Sequence, residues 1–198
     1  MPKAKLRPKD ITDHINDSLN RLKETIGVLS YIYEKEKIAK EHGAFLLSMA
    51  DVYSRDAVNV LSNLLDQDDQ TSSLFTLCGL LPSEKQRLHY HAKILKIKAT
   101  TKEVLTARYN RVGHFNTAHN TIEKDSWPVN TPIMVDPDYL VKRVKLIEEL
   151  FWDLKEKLKI DGVLIIVLGA GSVVDSLKLL FDGKQPHRTG IKRRKPSR

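Results

Sequence analysis

The chain has 198 residues, of which 41% are apolar, 29% are charged and one, Cys78, is a cysteine. That length can hold one substantial domain with its own core, and a lone cysteine excludes an internal disulfide framework and a structural zinc site built on thiolates. The net charge of +8 belongs to the ends: Lys3, Lys5, Arg7 and Lys9 at one, and Lys184, Arg188, Lys192, Arg193, Arg194, Lys195 and Arg198 at the other, so the body between them is slightly acidic.

The expected organisation is a basic N-terminal segment over 1–9, a helical domain over 10–183 and a basic tail over 184–198. The basic start is followed by no apolar run of the kind a secretory signal needs. The longest apolar run, Val163 to Leu168, is far too short to span a bilayer. A reducing, cytoplasmic setting is expected, with no membrane partner. Lys192, Arg193, Arg194 and Lys195 suit sequence-blind, salt-sensitive phosphate contact, and a solvated tail is the simpler alternative.

A first helix is expected from about Asp10, capped by Asp10 or Thr12. Ile11, Ile15, Leu19, Leu22, Ile26, Leu29 and Tyr33 recur every three or four residues and mark its inner face. A second, from about Lys37 to Leu65, carries a wide stripe that includes His42, Phe45, Leu46, Met49, Val52, Tyr53, Ala57, Val60, Leu61 and Leu64. Within it Arg55, Asp56 and Asn59 read mostly as a solvated face, and His42 as a packed histidine. Gln67 to Thr71 reads as a polar turn. Ser72 to Leu81 reads as a short helix lying as a lid on the bundle, with Cys78 a buried, inert thiol.

Ser83 and Gln86 have capping-box spacing and open a third long helix. Leu88, Ala92, Leu95, Ala99, Lys102, Leu105, Tyr109 and Val112 mark one face, widened by Ile94, Ile97, Thr101 and Val104. On this reading the helix runs without interruption into Arg108-Tyr109-Asn110-Arg111-Val112-Gly113-His114. Phe115 to Pro137 holds Trp127-Pro128, Pro132 and Pro137 and reads as an irregular crossover. A fourth long helix follows from about Asp138 to Leu158, capped by Asp136 or Asp138, with Leu140, Val144, Ile147, Leu150, Phe151, Leu154 and Leu158 inward and Gly162 at its end. A last short helix is expected over Ser172 to Phe181.

Val163 to Gly171 looks like a strand entering a glycine-rich turn. A dinucleotide fold needs that turn in its first βαβ unit, and here only 27 residues follow Gly171, with no completed GxGxxG. A buried apolar connection or short helix is the expected form. His89 and His91 stand two apart and point to different sides of a helix, so they cannot share a metal. No GxSxG and no P-loop occurs. No cofactor and no metal is expected.

Arg108, Arg111 and His114 stand three apart, so neighbours touch on a continuing helix. Arg presents a planar fork that matches a phosphate, and His is the side chain best suited to proton transfer near neutral pH. RNA supplies its own nucleophile, the 2′-hydroxyl, so Arg and His suffice for cleavage without a metal. On spacing alone the simpler reading is a helix end with two solvated arginines and a histidine near the C-terminal dipole.

Three stretches resemble a HEPN domain (higher eukaryotes and prokaryotes nucleotide-binding) of the abortive-infection U-like branch. They are Asn59-Val60-Leu61-Ser62-Asn63-Leu64-Leu65-Asp66 with its polar turn, Arg108-x5-His114 behind a long helix, and a further core helix beyond an irregular link. The resemblance covers roughly residues 10 to 160. It implies an all-α bundle of four core helices plus short additional helices, forming a homodimer. It further implies a metal-independent endoribonuclease with a toxin-like or phage-defence role. Arg108 would bind the phosphate and stabilise the transition state, and His114 would be the general acid/base or would orient the RNA. Asn110 and Arg111 would support them, Asn110 replacing the polar residue that usually follows the arginine, where this chain has Tyr109. RNA and a nucleotidyltransferase-type antitoxin are the implied partners. The alternatives are a non-catalytic RNA- or nucleotide-binding module and a helical protein-interaction scaffold.

Overall fold

Ile11, Ile15, Leu19, Leu22, Val28 and Leu29 lie at helical spacing and are all but fully buried, because their helix is the one around which the others pack. A computed structural model of the protein describes residues 7–35, 39–102, 104, 135–160 and 171–182. Six helices occupy them: α1 (Pro8–Glu34), α2 (Ala39–Leu64), α3 (Leu74–Gly79), α4 (Glu84–Thr100), α5 (Pro137–Lys157) and α6 (Gly171–Asp182). The fold is all-α, with no strand among the described residues. No helix there is long and apolar enough to cross a membrane.

Helix α1 touches α2, α3, α5 and α6, whereas α4 rests on α3 and α5. This central position explains why α1 buries more than one stripe: Thr12, Asn16, Thr25, Tyr31 and Ile32 are buried beside the expected face. The Tyr31 hydroxyl donates to the Leu177 carbonyl at 3.2 Å and ties α6 down. Lys23 reaches Glu148 of α5 at 2.6 Å. On α2 the stripe is narrower than expected, since Phe45 and Val52 are more than half exposed while Leu46, Ala50, Ala57, Val58, Leu61 and Leu64 are buried. Ser54 is fully buried, and its hydroxyl accepts the Val135 N–H at 3.1 Å. That bond pins the entry to α5, satisfying a backbone donor that would otherwise be costly to bury. The side chain of His42 and residues 161–170 lie outside the described residues.

Several helix ends differ from expectation. Helix α1 begins at Pro8, with its N-cap Arg7 making no side-chain cap bond. Proline is well placed at a first helical position because its missing N–H is not needed there. Asp10 instead accepts two bonds from Arg7, at 2.8 and 2.9 Å, and Thr12 donates to the Lys9 carbonyl at 2.8 Å. Helices α3, α4 and α5 are capped by Ser73, Ser83 and Asp136, whose side chains accept from Thr76, Gln86 and Asp138 N–H groups. The polar turn before α3 holds itself through Asp66 and Asp68, which accept the Asp68 and Gln70 N–H groups at 3.1 and 2.9 Å.

Helix α5 ends at Lys157, before Gly162 is reached. Ile160 N–H donates to Lys155 O and Lys159 N–H to Glu156 O, the paired bonds of a Schellman cap. The left-handed position such a cap requires is held by Lys159, at φ 52°. A side chain there costs about 1–2 kcal/mol, and glycine avoids it at some entropic cost in the unfolded chain. Lys159→Gly is therefore expected to stabilise the protein by about 0.5–1 kcal/mol, read as a rise in thermal midpoint. An unchanged or lower midpoint would contradict the cap.

The largest departure concerns α4. Tyr90, Ile94 and Ile97 form its buried face, followed by Thr101. Leu88 is 66% exposed and Leu95 40% exposed, with Ala92 and Ala99 exposed as well. The face read as principal is thus the outer one. Both stripes have helical spacing, and only the packing on α3 and α5 chooses between them.

Candidate functional site

The approach to the Arg108–His114 stretch is set at the C-terminal end of α4. The helix stops at Thr100 and does not run on unbroken to Val112. Thr101 leaves helical geometry, at φ −103° and ψ 6°, and its N–H is shared between the Ile97 and Lys98 carbonyls. Its hydroxyl donates back to the same two carbonyls, at 3.2 and 2.9 Å. Thr100 does likewise to Ile97 at 2.8 Å. Such back-bonding competes with the helical ladder and bends helices. The freed Thr100 carbonyl is taken by the Tyr139 hydroxyl of α5 at 2.9 Å. Lys102 and Val104 are again helical. The break is thereby fastened to α5, seven residues before Arg108.

Arg108, Asn110, Arg111 and His114 lie outside the described residues, as do Lys192, Arg193, Arg194 and Lys195. Cys78 is described and is buried and free. Its thiol donates to the Arg87 carbonyl at 3.3 Å, and burial pushes its pKa up, so little of the reactive thiolate forms near neutrality. His91 packs edge-on against Phe75 at 5.1 Å. Among the described residues no three His, Cys, Asp or Glu side chains converge as a metal site.

Among the described residues, polar side chains come together in grooves between long helices, two of which bear on the site. The first, of 470 Å³, lies between α1 and α2 and is lined by Arg21, Glu24, Tyr53, Arg55, Asp56 and Asn59 among others. Sequence reading placed Arg55, Asp56 and Asn59 together but could not supply Arg21, which is 35 positions from the Asp56 carboxylate it grips with two nitrogens. Arg55 is held by Asp51 at 2.8 Å. Burial pushes the Tyr53 hydroxyl up, and Glu24 and Asp56 add to the shift. With both guanidinium groups matched and Glu24 in excess, this groove does not favour a phosphate.

The second groove, of 330 Å³, runs between α4 and α5. Ile97, Leu146 and Leu150 form its apolar part, while Lys93, Lys96, Glu149 and Asp153 stand around it. Lys93 reaches Asp153 at 3.9 Å and lies 5.1 Å from the centre of the Tyr90 ring. Burial, with the Asp153 carboxylate beside it, pushes the Tyr90 hydroxyl up to about 12. The native state therefore holds this proton more tightly than the unfolded chain does. Its contribution to stability is fully present below the usual tyrosine value of about 10 and is lost as the pH rises towards 12. Tyr90→Phe is expected to flatten the fall in thermal midpoint across that interval, and an equally steep fall in the variant would contradict the assignment.

The chain matches no protein-family model, no curated protein and no solved structure. The family resemblance thus rests on the residues quoted for it.

Proposed function

We propose that the protein is a metal-independent endoribonuclease of the HEPN type with a toxin-like or phage-defence role. The observation that carries this reading is the Arg108-x5-His114 motif in an all-α chain. In the proposed reaction the 2′-oxygen of the RNA attacks the adjacent phosphorus. A base takes the 2′-hydroxyl proton, the bond from phosphorus to the 5′-oxygen breaks, and an acid protonates the leaving oxygen. The products are a 2′,3′-cyclic phosphate and a 5′-hydroxyl, so no water, metal or redox partner is consumed.

His114 serves as the acid/base because imidazole exchanges protons near neutral pH. Arg108 binds the phosphate and holds the charge that develops on its oxygens, where a positioned donor does most. Asn110 and Arg111 support the two. In the proposed homodimer both copies contribute an Arg108 and a His114 to a shared site. RNA is the substrate, the basic tail adds phosphate contacts, and a nucleotidyltransferase-type antitoxin is the proposed neutralising partner. The setting is cytoplasmic.

The test is to incubate the purified protein with mixed RNAs in EDTA beside the Arg108→Ala and His114→Ala variants. Cleavage that survives EDTA and disappears in both variants supports the reading. Equal products from the variants would remove the site assignment. Retained RNA binding without any cleavage would favour a non-catalytic RNA- or nucleotide-binding module. A helical interaction scaffold is the remaining alternative, and the exposed leucines of α4 are the observation that favours it.

A further inference from the structure

Helix α4 has apolar residues on two opposite sides. Tyr90, Ile94 and Ile97 face the core, while Leu88, Ala92, Leu95 and Ala99 follow each other at spacings of four, three and four on the far side. At about 100° per residue those four fall within an arc of about 60°. Single exposed leucines are ordinary. Large and small residues alternating at coiled-coil spacing are not, because each leucine is a knob and each alanine the floor of a hole.

The flanks of this seam decide what fits it. His89 and Lys96 run along one side, and Glu84 is the sole acid between Glu84 and Thr100. His91 and Lys98 run along the other, where both also lie on the Phe75 ring of α3 and Lys98 donates to Gln67 at 3.4 Å. A second copy laid antiparallel would seat Leu88 on Ala99 and Leu95 on Ala92. It would also set Lys96 near His89 and Lys98 near His91, pairs that bring no opposite charge to the positions that govern helix pairing. A nucleic acid would meet the lysines but leave the leucines without an apolar partner.

We propose that this outer face of α4 is the docking site for an amphipathic helix of another protein, apolar along its seam and acidic on both flanks. The inference stands whether or not the protein cleaves RNA. Carboxylates on the partner's flanks would meet Lys96 and Lys98, and the apolar seam would be covered from water.

The test uses the full chain and two synthetic helical peptides of about three heptads, each with leucine and alanine along the seam, one flanked by glutamate and the other by lysine. Fluorescence anisotropy is expected to show saturable binding of the glutamate peptide, weakening as salt rises, and none of the lysine peptide. Leu88→Gln with Leu95→Gln is expected to weaken binding at least about tenfold while leaving the thermal midpoint unchanged. Lys96→Glu with Lys98→Glu should reverse the preference between the peptides, independently of the leucines. No saturable binding of the glutamate peptide, or equal binding by the leucine variant, would overturn the proposal. So would a dimer in sedimentation that the leucine variant abolishes, which gives the face to a second copy. Loss of RNA binding in the same variant would give it to nucleic acid, and that too would overturn the proposal.

Discussion

Phe151→Ala is expected to remove about 3–5 kcal/mol of stability. Phe151 is fully buried on α5, the helix that touches α1, α3 and α4. Truncation loses the transfer free energy of the ring and leaves a cavity that three surrounding helices cannot close without moving. Native domains are stable by only about 5–15 kcal/mol, so this single change consumes a large share. The thermal midpoint is expected to fall by roughly 6–20 °C. Leu146→Ala is the matched control, on the same helix but 41% exposed. Equal losses in denaturant titrations of the two variants would contradict the packing described.

His114→Ala is expected to slow RNA cleavage by about 10²–10⁴-fold, the range of a positioned acid or base. Arg108→Ala is expected to cost about 10²–10³-fold, as for removal of one preorganised donor to a developing anion. Arg108→Lys should not restore the rate, because an ammonium cannot reproduce the planar two-point contact with phosphate. Single-turnover cleavage with saturating protein separates these effects from weakened binding. Thermal midpoints equal to wild type are expected in all three variants, since the assigned roles are chemical. Variants with wild-type rates and unchanged folding would remove Arg108 and His114 from the chemistry.

Helices with one strong stripe were legible in the sequence. The inner residues of α5, Leu140, Val144, Ile147, Leu150, Phe151 and Leu154, are all buried as their spacing implies, and most of the α1 face is too. The caps at Ser83 and Asp136 were legible because short oxygen-bearing side chains precede apolar periodicity. Helix α4 was not, since its two apolar stripes satisfy the same rule and the choice between them belongs to α3 and α5. Its end at Thr100 has no glycine or proline to announce it. The break comes from two hydroxyls bonding back and a tyrosine 39 positions away taking the last carbonyl. Lys159 in the left-handed region is equally silent in sequence, where glycine would be the usual signal.

The motif from Arg108 to His114 is read from residue types and spacing alone, and it lies outside the described residues. Pairings between residues distant in the chain, such as Arg21 with Asp56 and Ser54 with Val135, had no signal in the sequence. Cationic residues gather in sequence at the Arg108–His114 stretch, along α4 and at the two basic ends.

The most direct measurement is the chemistry of the RNA ends formed by the wild-type protein in EDTA. Transesterification by Arg108 and His114 predicts 2′,3′-cyclic phosphate and 5′-hydroxyl ends, unchanged when divalent ions are removed. Ends carrying 3′-hydroxyl and 5′-phosphate, or cleavage abolished by EDTA, would contradict it.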